Sequence, residues 1–322
     1  TSSATESNNL GIIGAATRYR KKGKRIVVSN IEHISVLNIC KELSRQGFEI
    51  EYAPVDQEGI LDLGRLAGLI DDETVLVSVM AANGEIGTIQ PIKEAAEISH
   101  DHDALFHTDA TAAAGQISLD AETIGFDLMT LSSNDLYGPK GAGALFLRKG
   151  LRVRPHMIGG GQEGGLRSGS ENIPGIVGMG KAAELIQKDI DGEAKRLTKL
   201  RDRLIKGTTE AVPESYLNGH LTKRLPNNAN IRFSYIEGES LILSLDQLGI
   251  RVSSGSACVA KTLEPSHVLM ALGLKHEEAH GSLVFTLGKS NREEDVEYVI
   301  QQIPDVVRRL RAMSPLTPKE LR

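Results

Sequence analysis

Thr74-Val75-Leu76-Val77-Ser78-Val79-Met80, a helical pattern after Pro91, and then Ala104-Leu105-Phe106-His107-Thr108-Asp109 make up the stretch that decides the fold. Each apolar run is strand-length, and a helix-length segment separates them, the pattern of parallel strands joined by crossover helices. The alternation extends in both directions. Upstream, Arg25 to Ser29 and Phe48 to Val55 read as strands, Ile34, Leu37, Cys40 and Leu43 mark a helix between them, and Leu61 to Ile70 reads as another helix. Downstream, Leu128 to Ser132 and Ala144 to Arg148 read as strands. The expected fold class is α/β, a mainly parallel central sheet with flanking helices. Ligands of such sheets gather at the carboxyl ends of the strands, which points to the loops after Met80, Thr108 and Leu131.

Beyond the sheet, Arg152 to Asn172 is a glycine-rich loop, and Ile176 to about Leu204 reads as one long, charge-laced helix linking two domains. Strands are expected at 230–235, 250–254 and 284–287, with helices at 239–248 and 293–311. These make a smaller C-terminal α+β domain, so the division is 1–190 and 191–322, the second domain carrying the loop with Cys258.

The composition is that of an ordinary globular chain: 322 residues, 40% hydrophobic and 25% charged, with 37 Lys+Arg against 42 Asp+Glu for a net charge of −5. That balance opposes sequence-independent nucleic-acid binding, which needs a positive excess to track phosphates. The basic clusters Arg18 to Arg25 and Arg308 to Arg311 read as solvated faces. Two widely separated cysteines, Cys40 and Cys258, fit a reducing cytoplasm better than a disulfide framework. No apolar run is long enough to cross a bilayer, and Thr1 to Glu6 lack a signal-peptide layout. The first residue is not Met and falls in what looks like the middle of a motif, as in a fragment of a longer chain.

Several patterns bear on chemistry. His276-Glu277-Glu278-Ala279-His280 satisfies the zinc-protease expression, but Gly273 before it and a strand-like Ser282 to Phe285 after it argue against the helix such a site needs. Gly138 to Gly143 reads as a turn between two strands, not a nucleotide loop. Cys258, in Ser253-Ser254-Gly255-Ser256-Ala257-Cys258, lies among small residues, the setting of an accessible and reactive thiol. Asp109 closes a strand and serves as a helix cap or a site residue. Ser3-Ala4-Thr5 opens a helix and is a cap or a phosphate seat.

Taken together, Thr1 to Asn9, Glu32-His33, Asn83 to Gly87, Asp109-Ala110-Thr111, Ser132 to Gly141, Gly159 to Asn172, Ser254 to Cys258 and Arg308 to Leu316 resemble the cysteine desulfurases of iron–sulfur cluster assembly, class V, fold type I pyridoxal-phosphate enzymes. The resemblance spans the chain and implies that several dozen residues precede Thr1 in the family. It implies that Ala4, Thr5, Ser132 and, from a neighbouring copy, Ser170 hold the cofactor phosphate, with Ser133 and Asn134 also among the cofactor-binding positions. His33 would stack on the ring, and Asp109 would pair with its nitrogen to keep the pyridinium protonated.

The resemblance also exposes four departures. The family anchors pyridoxal phosphate on a lysine after a histidine, and these positions read Asn134-Asp135 here. A carboxylate has no amine to condense with an aldehyde. Lys140 belongs to a separate turn, five residues on and roughly 16 Å away along an extended chain. Gly84 and Ala112 stand where the family has an asparagine and a glutamine touching the ring oxygen. Val284 stands where an arginine clamps the substrate carboxylate, a bidentate contact no apolar side chain reproduces.

Cys258 matches the cysteine that carries sulfur as a persulfide. The expected function is therefore a desulfurase-family component of cluster assembly in which Cys258 acts as persulfide carrier or as a ligand of a [2Fe-2S] cluster shared with a scaffold protein, with pyridoxal-phosphate chemistry lost. The alternatives are an active desulfurase, turning L-cysteine into L-alanine and enzyme-bound persulfide with non-covalent cofactor, and a structural dimer with an inert thiol. A homodimer is implied throughout, because Ser170 would complete the other copy's site; no nucleic acid and no membrane are expected as partners.

Overall fold

The computed structural model describes residues 1–255 and 265–321, and Cys258 lies outside the described residues. The chain divides into two compact units, one of Thr1–Asp56, Ile60–Asn83 and Ile89–Ile190, the other of Gln57–Gly59, Gly84–Thr88 and Asp191–Arg322.

The first unit opens with α1 (Ala4–Asn8), a π-helical turn at Asn9–Ile13 and α2 (Gly14–Tyr19). Then come β1 (Arg25–Ser29), α3 (Ile34–Arg45), β2 (Glu49–Ala53), α4 (Leu63–Leu69), β3 (Thr74–Ser78), α5 (Ile92–His100), β4 (Leu105–Asp109), α6 (Ala121–Ile124), β5 (Leu128–Ser132), β6 (Gly143–Leu147) and α7 (Ile173–Gln187). The sheet order is β2-β1-β3-β4-β5-β6. All neighbours are parallel except β5 and β6. The link between those two is too short for a crossover helix, so it makes a hairpin with a single 3₁₀ turn at Asn134–Leu136. The expected turn between two strands is thus present.

Burial explains why these runs form strands and helices. Val75, Leu76 and Val77 of β3 and Ile26, Val27 and Val28 of β1 are buried, as strands covered on both faces must be. On α3, Val36, Ile39, Cys40 and Leu43 form one buried stripe that joins the core of β1 and β3. Each large aliphatic chain so removed from water is worth about 1.5–3 kcal/mol.

The second unit is built on α8 (Ile190–Ala211), β7 (Ser215–Asn218), β8 (Asn228–Phe233), α9 (Gly238–Asp246), α10 (His267–Ala271), α11 (His276–His280), β9 (Ser282–Thr286) and α12 (Glu293–Met313). An antiparallel sheet, β7-β8-β9, carries a core of Leu204 from α8, Ile231 and Phe233 from β8, Leu241 and Leu245 from α9, and Ile303 and Val307 from α12.

Four expectations need correction. The single helix over Ile176 to Leu204 is two, because Asp189 N turns back to Ile186 O and ends α7. Residues 250–254 form no strand; Ser253 makes one bridge to Val284 before the small residues Ser254 and Gly255. His276 to His280 is helical after all, begun by a cap in which Lys275 N donates to Glu278 Oε2 at 2.8 Å. The helix has only five residues, and among the described residues no group of three metal-binding side chains exists. Arg311 is no solvated residue: it is 3% exposed, and its guanidinium donates to Ser234 O, Pro213 O and Glu214 O. Among the described residues, no helix is long and apolar enough to cross a membrane.

Candidate functional site

Asp109 is the last residue of β4, at the carboxyl edge of the parallel sheet. The extended run behind it is buried on both sides, so the side chain emerges only where the strand stops. Both carboxylate oxygens accept hydrogen bonds: Oδ1 from Thr111 N at 3.0 Å and Oδ2 from Asn8 Nδ2 at 2.8 Å. Asn8 closes α1, is fully buried, and also donates to Ser35 Oγ at 3.0 Å. Ser35 in turn meets His33 Nδ1 at 2.8 Å, and the same nitrogen accepts from Ser35 N as the cap of α3. A continuous chain of polar contacts therefore connects exposed His33 to buried Asp109.

Two more ionisable groups lie behind this chain. Glu32 is fully buried and accepts from Met80 N at 2.6 Å. Loss of hydration, with the Asp109 charge adding to it, raises its pKa well above the usual carboxylate range. His107 lies between Ser78 Oγ at 2.8 Å and Thr130 Oγ1 at 3.1 Å. Burial pushes it down to about 4 although Asp109 pulls the other way, so its ring is neutral near pH 7.

A second cluster forms where β5 ends. Ser132 pairs with Gly143 in the hairpin, and the chain start pairs there too, through Thr1 N to Gly143 O at 3.2 Å and Gly143 N to Thr1 O at 2.9 Å. A Cβ on Gly143 would come within 2.8 Å of the Ser3 backbone, so only glycine admits this approach. It brings Ser3, the cap of α1, with Ala4 and Thr5 behind it, alongside Ser132. Ser132 Oγ donates to Asn134 Oδ1 at 2.8 Å, and Asn134 Nδ2 donates to Asp135 Oδ2 at 2.9 Å. Asp135 is exposed, yet the protein around its carboxyl raises its pKa, and the Asp109 charge raises it further against a bond to Ser132.

These groups fit the polar outline of pyridoxal phosphate but not its covalent link. Asn8 Oδ1, Thr111 Oγ1 and Ser133 Oγ are buried oxygens without hydrogen-bond partners, the first two on residues that donate to the Asp109 carboxylate. They are acceptors and hydroxyls suited to a polar guest. The position of the family's anchoring amine holds the Asp135 carboxylate instead.

Of the other expected positions, Ala112 is half-buried in the turn after β4, and Ser170 and Lys140 are exposed. In the second unit, the Gly84 carbonyl accepts from Asn228 Nδ2 at 2.8 Å, and Val284 of β9 is 5% exposed, paired with Asn230 and bridged to Ser253. A buried valine in a hydrogen-bonded strand has no charge to offer a carboxylate. The residue that sequence reasoning passed over is Asn8: it looks like an ordinary helix residue, and nothing in its type or spacing marks it as facing inward.

A family model described as aminotransferase class-V matches residues 1–299. The chain is 60% identical over 316 residues to a protein named cysteine desulfurase IscS 1 from Archaeoglobus fulgidus, covering 98% of this chain and 82% of that one. It is 52% identical over 322 residues to cysteine desulfurase IscS of Methanosarcina thermophila, covering 80% of that protein. Among solved structures, a NifS-like protein shares 38% of its sequence at a TM-score of 0.89, covering 95% of this chain and 81% of that one. The mostly parallel sheet, its carboxylate-bearing edge and these likenesses agree: the chain belongs to the aminotransferase class-V family and, within it, to the pyridoxal-phosphate-dependent cysteine desulfurases.

Proposed function

We propose that this protein serves iron–sulfur cluster assembly through Cys258, as persulfide carrier or as ligand of a [2Fe-2S] cluster shared with a scaffold protein, and that it does not run the family's lysine-linked chemistry. The observation that carries this reading is Asp135, a carboxylate bonded to Asn134 where the family has its amine. As a carrier, Cys258 thiolate would attack the sulfane sulfur of a donor persulfide, forming one S–S bond as the donor's breaks and the donor leaves as thiolate. As a ligand, it would supply one thiolate, and the scaffold the rest of the usual four.

Pyridoxal phosphate would be held here without a covalent link, and when bound it supplies an electron sink for the substrate carbon. Asp109, kept in place by Asn8 and Thr111, would face the ring nitrogen. His33 would cover the ring, and Ala4, Thr5 and Ser132 would hold the phosphate, with Ser170 arriving from a second copy and Ser133 and Asn134 adding to the cofactor site. The degraded positions Gly84, Ala112 and Val284 would offer the ring oxygen and the substrate carboxylate no side-chain polar contact.

The homodimer is supported by α7. Ile173, Ile176, Val177 and Leu185 are exposed at 58%, 45%, 65% and 49%, and Ile158 in the preceding loop at 84%. So much apolar surface on one element and its neighbour is the mark of a protein contact. A cytoplasmic setting suits a thiol that must stay reduced.

Mass and absorbance analysis of the isolated protein tests the reading. The expected result is no lysine-linked cofactor, no alanine released from L-cysteine, and loss of cluster formation on the scaffold in Cys258→Ala. A second reading, an active desulfurase with non-covalent cofactor, is favoured by the intact support of Asp109 and by the relatives' names; alanine release would establish it. Asp135→Lys is expected to restore covalent attachment, with low activity because of Gly84, Ala112 and Val284.

A further inference from the structure

Asp109 and Asp135 are two carboxylates at one edge of the parallel sheet, and neither has a cation to itself. β4 and β5 run side by side with Asp109 level with Thr130, and Ala110 N donates to Thr130 O at 3.0 Å. β5 ends soon after, at Ser132, and the 3₁₀ turn Asn134–Leu136 follows at once, so Asp135 sits just beyond the strand that adjoins Asp109. The turn is firmly held: Ser133 O accepts from Leu136 N at 3.1 Å and from Gly138 N at 2.8 Å, and Ser133 N donates to Ala142 O at 3.1 Å. The donors to both carboxylates are neutral, Asn8 and Thr111 for Asp109 and Asn134 for Asp135. Among the described residues neither carboxylate makes an ion pair, and Ser133 Oγ, on the same turn, is fully buried with no hydrogen-bond partner. Loss of water raises the Asp135 pKa, and the Asp109 charge adds to it, against a bond to Ser132 and a smaller pull from His33.

Pyridoxal phosphate and its amine form share the ring, the phosphate and the ring nitrogen. They differ at the carbon para to that nitrogen, which carries an aldehyde in one and an ammonium group in the other. An aldehyde oxygen and a carboxylate both only accept, so they repel; an ammonium group brings a positive charge and several donors. At the position of the family's anchoring lysine, an aspartate ends two bonds short, and the nitrogen that a lysine would supply is one that the amine form already carries. We propose that this site selects pyridoxamine phosphate over pyridoxal phosphate, Asp109 pairing with the protonated ring nitrogen and Asp135 with the ammonium group. The proposal deepens the reading that this sheet edge holds the cofactor, and it rests on that reading. Two carboxylates then meet two cations at opposite ends of one ring, and each such bond is charge-assisted, about twice as strong as a neutral one.

The test is calorimetric titration of the full chain near neutral pH with pyridoxamine phosphate and with pyridoxine phosphate. The second ligand carries a neutral alcohol in place of the ammonium group and cannot condense with any lysine. The wild type is expected to bind the amine at least about tenfold more tightly, the difference made by a bond to a charged group. Asp135→Asn keeps the size of the side chain without its charge and should bring the two constants together. Asp109→Asn should weaken both ligands alike and leave their ratio where it was. Pyridoxal phosphate, with hydride reduction and mass analysis to discount adducts on surface lysines, should bind no better than the alcohol. Equal constants for amine and alcohol in the wild type would overturn the proposal, and so would a preference that survives Asp135→Asn. The wild-type comparison needs no variant, so it decides even where Asp135→Asn fails to fold by circular dichroism. Absence of binding by either ligand at millimolar concentration would sink the cofactor-site reading and the proposal with it, leaving the role of Cys258 to be judged from the sulfur it carries by mass.

Discussion

Asn8 gives hydrogen bonds to Asp109 Oδ2 and Ser35 Oγ from a fully buried position, so replacing it with leucine leaves two acceptors without a donor and one of them charged. Such a loss costs about 1–3 kcal/mol per group. Asn8→Leu is expected to lower the urea midpoint accordingly and to weaken any binding of free pyridoxal phosphate measured by calorimetry. Behind it, His107 makes a pH signature. A histidine pushed from 6.5 down to about 4 stays neutral in the fold while the unfolded chain takes up a proton. Stability from this residue is therefore whole above pH 6.5 and lost as pH falls towards 4, by up to about 3 kcal/mol. His107→Gln should remove that part of the wild-type slope in urea titrations from pH 7 to 4; equal slopes would refute the assignment. Asp109 was legible in the sequence because a polar residue at the end of an apolar strand has few places to go. Asn8 and Ser35 were not, because their role depends on which way a helix turns against a sheet, and neither composition nor spacing fixes that.

Elements were legible to the extent that their own residues made them. The strands from Thr74, Leu105 and Leu128 each open on an apolar run and were readable within a residue or two. The polar β7 escaped notice because Ser215 to Asn218 become a strand only by pairing with β8. Residues 250–254 carry the reverse error, since Ile250 and Val252 look strand-like but only Ser253 finds a partner. Arg311 is the same lesson in a helix. It lies in the last turn of α12 in a basic cluster, but three carbonyls at 213, 214 and 234 draw it inward. Charge-assisted bonds of this kind contribute roughly 1.5–3 kcal/mol each. Arg311→Met, which keeps the apolar stem, is expected to destabilise the protein by at least one such bond in thermal or urea melts. Arg308→Met, changing an exposed neighbour whose partner Asp305 is also exposed, should be close to neutral.

For the whole molecule, an apolar α7 surface is difficult to reconcile with a solitary chain, since a large exposed patch is an invitation to associate. Val177 is 65% exposed, so exchanging it for aspartate costs a lone chain little; across an interface it would bury an unpaired charge. Val177→Asp is therefore expected to convert a dimer into a monomer by sedimentation at micromolar concentration, without lowering the amount of folded protein. The same variant tests the reach of Ser170, which is exposed in the glycine-rich loop before α7. If that hydroxyl completes the phosphate seat of the other copy, monomeric Val177→Asp and dimeric Ser170→Ala should lose affinity for pyridoxal phosphate alike. A lost hydrogen bond to a charged group, about 1.5–3 kcal/mol, corresponds to roughly tenfold or more in Kd. Monomers that bind the cofactor as tightly as the wild type would show that each copy's site is complete in itself.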